Sequence, residues 1–237
     1  MRKHPLLQLA ADNARASKPL RAESSGDEAT IYLYGVIGGW WGDIDAQEFA
    51  KSLAAITAGT IHLRINSPGG DVFDARAMMT AIRQHSANVI AHVDGLAASA
   101  ATDICMAADE VEITQGAFFM IHNAWTVAIG NKTDMRTTAD LLEKVDIAIT
   151  NDYAVRSKQD AAQITKWMDA ETWFTADEAV SNGFADRVVE AAAKPANAWN
   201  LSAYQNAPRA LTESIPDPEA HRAHLERHLK LLAMNSA

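Results

Sequence analysis

Between Ala29 and Asn123 the chain alternates short runs of β-branched and aromatic residues with segments of helical period. ATIYLYGVIG, Thr60 to Asn66 and NVIAHVDG read as strands. Between the first two, IDAQEFAKSLAAI is a helix opened by Asp43, with Ile44, Phe49, Leu53 and Ile56 on its apolar face. VFDARAMMTAIRQH is another, capped by Asp71 or Asp74. Small residues carry a third helix from about Ala98 to Ala108, and the strand-like runs VEIT and AFFMIH follow. A βαβα order of this kind calls for mainly parallel strands with helices packed on the sheet faces, because each parallel neighbour needs a crossover connection.

The later chain extends this pattern. From Lys132 to about Lys158, Met135, Ala139, Leu142, Val145, Ile149 and Tyr153 recur at three- and four-residue steps, so the segment is one long amphipathic helix. Its stripe either packs into the core or projects against a neighbouring subunit. Asp160 starts a further helix, AAQITKWM, and WFT, the short helix TADEAVSNG closed by Gly183, and the strand ADRVVE complete the domain. The folded domain is therefore placed at 29–190. Residues 1–28 read as a flexible extension, since KPLRAESSGDE is polar and lacks a period, and the apolar run near the start is too short for a signal peptide. Residues 191–237 read as an Ala-, Pro- and Asn-rich linker followed by a terminal helix, HRAHLERHLKLLAM.

With 237 residues, 48% of them hydrophobic, one domain can bury a full core. A formal net charge of -9 argues against a nucleic-acid partner, and no apolar run approaches the ~20 residues of a membrane span. A cytoplasmic protein is expected. Cys105, the single cysteine, allows no internal disulfide and reads as a buried thiol. His224 and His228 share a helical face but lack an HExxH pattern, so neither a metal nor another cofactor is assigned.

The chemistry concentrates between Thr60 and Asn123. A serine attacks a carbonyl only when a base takes its proton and donors hold the developing oxyanion. Ser99, between Ala98 and Ala100, sits where a strand passes into a helix, which exposes a nucleophile among small neighbours. Gly69 and Gly70 after Pro68 allow a turn that directs an N–H outwards. His122 ends an apolar strand. Taken singly, these are ordinary features: tight helix packing, a PGG turn, a core histidine. Their combination points to a nucleophile, an oxyanion hole and a general base.

The segments INSPGGDVFDA, GLAASAA, FMIHNAW and WFTADEAVSNGFAD, in this order and at these separations, resemble the proteolytic subunit of the Clp protease, ClpP. They are similar in particular to the ClpP-related head maturation proteases of tailed phages and prophages. The resemblance spans roughly Ile31 to Val189 and implies a ClpP/crotonase-like α/β fold of repeated β-β-α units with a projecting long helix. It assigns Ser99 as nucleophile, His122 as general base, and the N–H groups of Gly70 and Ala100 as oxyanion donors. Gly69, Asp71 and Val72 on one side, with Asn123 and Trp125 on the other, match the edges between which an extended peptide lies.

The third triad position departs from the family pattern, which has an aspartate there. The aligned residue is Glu171, and Asp169 is its rival; a Ser–His dyad without either acid is the remaining alternative. The resemblance implies a serine endopeptidase, ATP-independent or Clp-type, that matures phage or prophage capsids. Its substrate would be a polypeptide, with capsid or scaffold protein as candidates, and its assembly a homo-oligomeric ring in the cytoplasm or with the prohead. Whether an unfoldase docks stays open. Two other classes fit parts of the pattern: a crotonase-type acyl-CoA hydratase or isomerase, which needs no serine–histidine pair, and a catalytically silent assembly component.

Overall fold

The computed structural model describes residues 12–38, 44–190, 199–202 and 204–212. The expected terminal helix, with His224 and His228, and the expected cap Asp43 lie outside them. Two compact units are distinguished, one running to Ala207 and the other from Pro208. The described residues of the second contain one short helix, Arg209–Thr212.

The first unit is built on an eight-stranded sheet. In chain order its strands are β1 (Arg21–Ser25), β2 (Glu28–Leu33), β3 (Thr60–Ser67), β4 (Asn88–Ala98), β5 (Glu110–Thr114), β6 (Phe118–Ile121), β7 (Thr172–Thr175) and β8 (Arg187–Val189). The helices are α1 (Ala46–Ala54), α2 (Val72–Gln84), α3 (Ala100–Cys105), α4 (Lys132–Ser157), α5 (Ala161–Asp169) and α6 (Ala176–Ser181). Strands β2, β3, β4, β5 and β8 run parallel side by side, as the alternating order requires. Alternate residues of β3, Ile61, Leu63 and Ile65, are buried, and they share the core with Phe49 and Leu53 of α1 and Met78 and Ile82 of α2.

Local capping sets where the helices begin. Asp45, two residues beyond the expected Asp43, opens α1 by accepting from Glu48 N at 2.9 Å. Asp71 opens α2 by accepting from Phe73 N at 2.8 Å and Asp74 N at 3.0 Å. Asp160 caps α5, and α4 starts in a capping box between Asn131 and Asp134.

Two differences from the sequence reading matter. Residues 21–25, expected to be a flexible lead-in, form β1, antiparallel to β2 through a two-residue turn at Gly26 and Asp27. All five of its residues are exposed, so the strand has no apolar alternation to betray it; Arg21 instead stacks on the Tyr32 ring at 3.8 Å. The second difference is β4, which continues as a strand through Ala98, where a helix start was expected.

β4 changes partners along its length. Its first half pairs with β5 from Ile90 to Val93, and its last residues, Leu96 to Ala98, pair with β6. A register shift against β3 between Ile65 and Ser67 accommodates the change. Asp94 sits at this point, buried, accepting from Arg64 Nε at 2.8 Å and from the Tyr34 hydroxyl at 2.6 Å. These charge-assisted bonds pin the bend.

The long helix is divided by burial. Its last turns bury Ile149, Thr150, Tyr153 and Ser157, while Met135, Leu141 and Ile147 are exposed. Tyr153 reaches beneath α3, where its hydroxyl is 2.5 Å from Thr102 Oγ1. Beside it, the Asp103 carboxyl is fully buried with Oδ1 unpartnered among the described residues. Burial, reinforced by the negative charge of Asp152, pushes its pKa up to about 7 from 3.8. The unfolded carboxyl releases its proton near 3.8, the folded one near 7, so over that window the folded state holds more protons. Stability present at low pH therefore falls as pH rises through the window and levels off above it. Asp103→Asn removes this slope: urea denaturation should show the variant more stable than the parent by ~1–3 kcal/mol at pH 8, with the difference shrinking at pH 5.

Candidate active site

Ser99 stands at the junction of β4 and α3 with φ 55° and ψ -130°, a backbone conformation an L-residue adopts only under constraint. The constraint is visible on both sides. Ser99 N donates to Met120 O of β6 at 2.9 Å, and Ser99 O accepts from Thr102 N at 2.8 Å and from Thr102 Oγ1 at 2.5 Å. The side chain is thereby lifted out of the strand-to-helix turn, the geometry of a nucleophile elbow.

The β4–β6 register brings His122 to it. Ala98 is paired with Met120 in parallel, so the residues that follow each strand end, Ser99 and His122, emerge side by side. His122 Nε2 lies 2.8 Å from Ser99 Oγ. Desolvation pushes the imidazole down to about 4, opposed in part by the negative charge of Glu171. At neutral pH the ring is uncharged, and with its proton on Nδ1 the Nε2 atom can accept from the serine hydroxyl.

Ser67 and two glycines shape the opposite wall. Ser67 Oγ donates to Gly35 O at 2.6 Å and accepts from Gly69 N at 3.1 Å, fixing the entry to the turn. A Cβ on Gly69, at φ +93°, would lie 2.6 Å from Ala98 O and 2.8 Å from Ser99 Cβ. The turn thus presses directly on Ser99. Gly70 forms a parallel bridge with Ile37, in which Ile37 N donates to Gly69 O and Asp71 N donates to Ile37 O. That pattern uses the groups flanking Gly70 and leaves its own N–H on the edge away from Ile37. Ala100 N, at the first position of α3, is one of the donors that a helix start leaves without an intrahelical acceptor.

A cleft of about 360 Å³ opens beside Ser99. Four of the residues assigned to peptide edges line it, Gly69, Asp71, Val72 and Trp125, together with Gly70, Leu141, Leu142 and Val145. Asn123 does not join them: its amide donates to Asp169 Oδ1 at 2.8 Å and it lines a neighbouring cavity.

The two acids are placed differently. No hydrogen bond joins His122 to Glu171 or Asp169. Glu171 has φ 48°; its Oε1 accepts from Trp173 Nε1 at 3.2 Å and Asn206 N at 2.8 Å, and its Oε2 from Gln205 N at 2.9 Å. Tyr204, read from sequence as part of a linker, packs edge-on to His122 at 5.5 Å between ring centroids and donates its hydroxyl to Pro68 O at 2.8 Å. Nothing local in AYQNAP signals these contacts; the bond to Pro68 is made across 136 residues. Among the described residues no cluster of three or more His, Cys, Asp or Glu could hold a metal ion, and no helix is long and apolar enough to cross a membrane.

Comparison with known proteins follows the same stretch. The family model described as Clp protease matches residues 37–192. An ATP-dependent Clp protease proteolytic subunit 3 from Rhodococcus jostii is 29% identical over 169 residues, 70% of this chain and 84% of the relative. The proteolytic subunit 1 of Chlamydia abortus is 33% identical over 129 residues, 53% of this chain and 67% of its own. A solved structure of a mutant ClpP1 from Listeria monocytogenes superimposes with a TM-score of 0.61 at 24% identity, covering 68% of this chain and 91% of the other. The fold is that of ClpP.

The Gly70 bridge yields a direct test of how tightly this wall is built. A Cβ there would lie 2.0 Å from Ile37 O at φ +153°, and the obstacle is backbone. Gly70→Ala should lower the urea midpoint, at unchanged slope, by an amount equivalent to ~2–3 kcal/mol.

Proposed function

The chain belongs to the Clp protease family, and on that premise we propose that it is a serine endopeptidase working by acyl transfer from peptide to Ser99 and then to water. The observation that carries this reading is the 2.8 Å contact between Ser99 Oγ and a neutral His122 Nε2 at a constrained strand-to-helix turn. His122 takes the Ser99 proton as Oγ attacks the peptide carbonyl. The oxyanion that forms accepts from Gly70 N and Ala100 N. His122 then passes the proton to the leaving amine, and water, activated by the same imidazole, releases the acyl group. An extended peptide lies along Gly69 to Val72, with Trp125 across the cleft and its side chains directed into the apolar lining. A crotonase-type reaction has no use for the serine–histidine contact, which favours the peptidase.

For the third member we favour Glu171. Its charge is the one that acts on His122, whereas Asp169 is engaged by Asn123. In the narrower reading, the protein matures phage or prophage heads, with capsid or scaffold protein as substrate. Its support is the resemblance of the four segments from INSPGGDVFDA to WFTADEAVSNGFAD. Assembly as a homo-oligomeric ring is supported by the exposed apolar residues Met135, Leu141 and Ile147 of α4 and by Val127 and Ile129 just before it.

Ser99→Ala should abolish both cleavage of an unstructured peptide and covalent labelling by a serine-directed phosphonate while leaving the melting temperature unchanged; retained cleavage overturns the assignment. Running the parent against a capsid or scaffold protein, with no ATPase present, tests the narrower reading in the same assay. Turnover by Glu171→Gln and Asp169→Asn separates the acids: we expect a loss of ~10²-fold or more in the first and little change in the second. Equal, small losses would show that neither acid orients the base.

A further inference from the structure

Both oxygens of the candidate catalytic acid are held by the chain's own C-terminal segment or by its neighbour Trp173. Two of the three donors on Glu171 are the backbone N–H groups of Gln205 and Asn206, 34 and 35 residues away in sequence. The Asn206 side chain adds a bond of its own, donating to Ala170 O at 2.7 Å. Upstream, the same segment is anchored independently of the site. Trp199 Nε1 donates to Asn66 Oδ1 at 3.2 Å, Asn200 N donates to Asn13 Oδ1 at 2.6 Å, and Asn13, itself buried, donates back to Asn200 O at 2.9 Å. Between anchor and acid lies Tyr204, wedged against His122 and Trp173 with its hydroxyl on Pro68 O. Tyr204 also lines the cleft beside Ser99.

An acid that orients a catalytic imidazole must accept from its Nδ1–H. Three donors fix the Glu171 carboxylate in an orientation that makes no such bond. We propose that residues 204–206 form a clasp that holds Glu171 off His122 in most molecules, so that the triad is completed, and the parent chain turns over, only in the fraction in which this segment is released. The proposal rests on the peptidase reading of the site. Release frees the carboxylate to turn to the imidazole and, in the same movement, withdraws Tyr204 from the cleft. The clasp is thus aimed at the acid and the substrate path together, and its strength depends on backbone donors that side-chain substitution cannot remove.

Two variants test it in the full assay. One chain ends at Ala203; the other, Q205P/N206P, keeps its full length but lacks both N–H donors. Each is followed by the rate of phosphonate labelling of Ser99 and by peptide turnover, with Ser99→Ala as background and melting curves as the check on folding. A gain of ~10-fold or more in either variant, lost again when Glu171→Gln is added, is the expected result. Unchanged or slower labelling in the folded variants overturns the clasp while leaving the peptidase intact. A gain that survives Glu171→Gln also overturns it, because simple unblocking of the cleft would then suffice. Absence of labelling in every protein, the parent included, overturns the peptidase reading and the clasp with it.

Discussion

The parallel pairing of Ala98 with Met120 is the contact on which the rest of the site depends. A strand pair fixes the relative position of whatever follows each strand, and a slip of one residue would turn every side chain to the opposite face. Here the last rung of the ladder is followed at once by Ser99 on one strand and, one residue after β6 ends, by His122 on the other. The hydrogen bond from Ser99 N to Met120 O extends the ladder into the turn itself. β4 can supply this rung only because it leaves β5 after Val93 and takes up β6, and the bend is held by Asp94 between Arg64 and Tyr34. A salt bridge on one face of the sheet thus positions chemistry at its end.

The packing around that rung leaves little freedom. Gly69 faces the Ser99 turn with no room for a side chain, Ser67 holds the turn from inside, and Tyr153 and Thr102 support Ser99 O from below. A serine held at φ 55° stores strain that an isolated strand–helix junction would relax. It persists because hydrogen bonds from two directions over-determine it. The electrostatic cost falls on His122, which desolvation drives towards its neutral form. Under the proposed mechanism that form suits a base about to take a proton and disfavours the imidazolium that follows, and a carboxylate beside the ring would offset the difference.

Much of this was legible before any coordinates. Asp71 and Asp160 announce helix starts through side chains that cap backbone donors, a local chemistry that sequence displays. The alternation of strands and helices gave the parallel sheet, and Ser99, Gly70 and His122 stood out as residues with few other reasons to occur together. What stayed hidden depends on non-local contacts. GLAASAA reads equally as helix or strand, since small buried residues carry neither period, and β4 claims it as far as Ala98 because β6 supplies a partner. β1 buries none of its side chains and is held by backbone pairing and the stacking of Arg21 on Tyr32. The segment around Tyr204 owes its position to bonds with Asn13, Asn66, Pro68 and Glu171, and its own composition is that of a linker.

The long helix joins two requirements that would otherwise be separate. Its last turns are part of the core, where Tyr153 packs edge-on to Phe184 and reaches Thr102 beneath Ser99. Its first turns carry Met135 and Leu141 in solvent, and Leu141 and Leu142 also line the cleft. A single α-helix transmits displacement along its axis because its backbone hydrogen bonds are shared from turn to turn. Burial of the exposed half against another surface would therefore act on two parts of the site at once, the apolar wall that receives substrate and the hydroxyl bridge that steadies the Ser99 turn. Glu171 lies off this line, just after the end of α5, held by the C-terminal segment. Ser99 and Glu171 thus answer to different parts of the chain, and His122, bonded to the one and acted on by the charge of the other, is where those two influences meet.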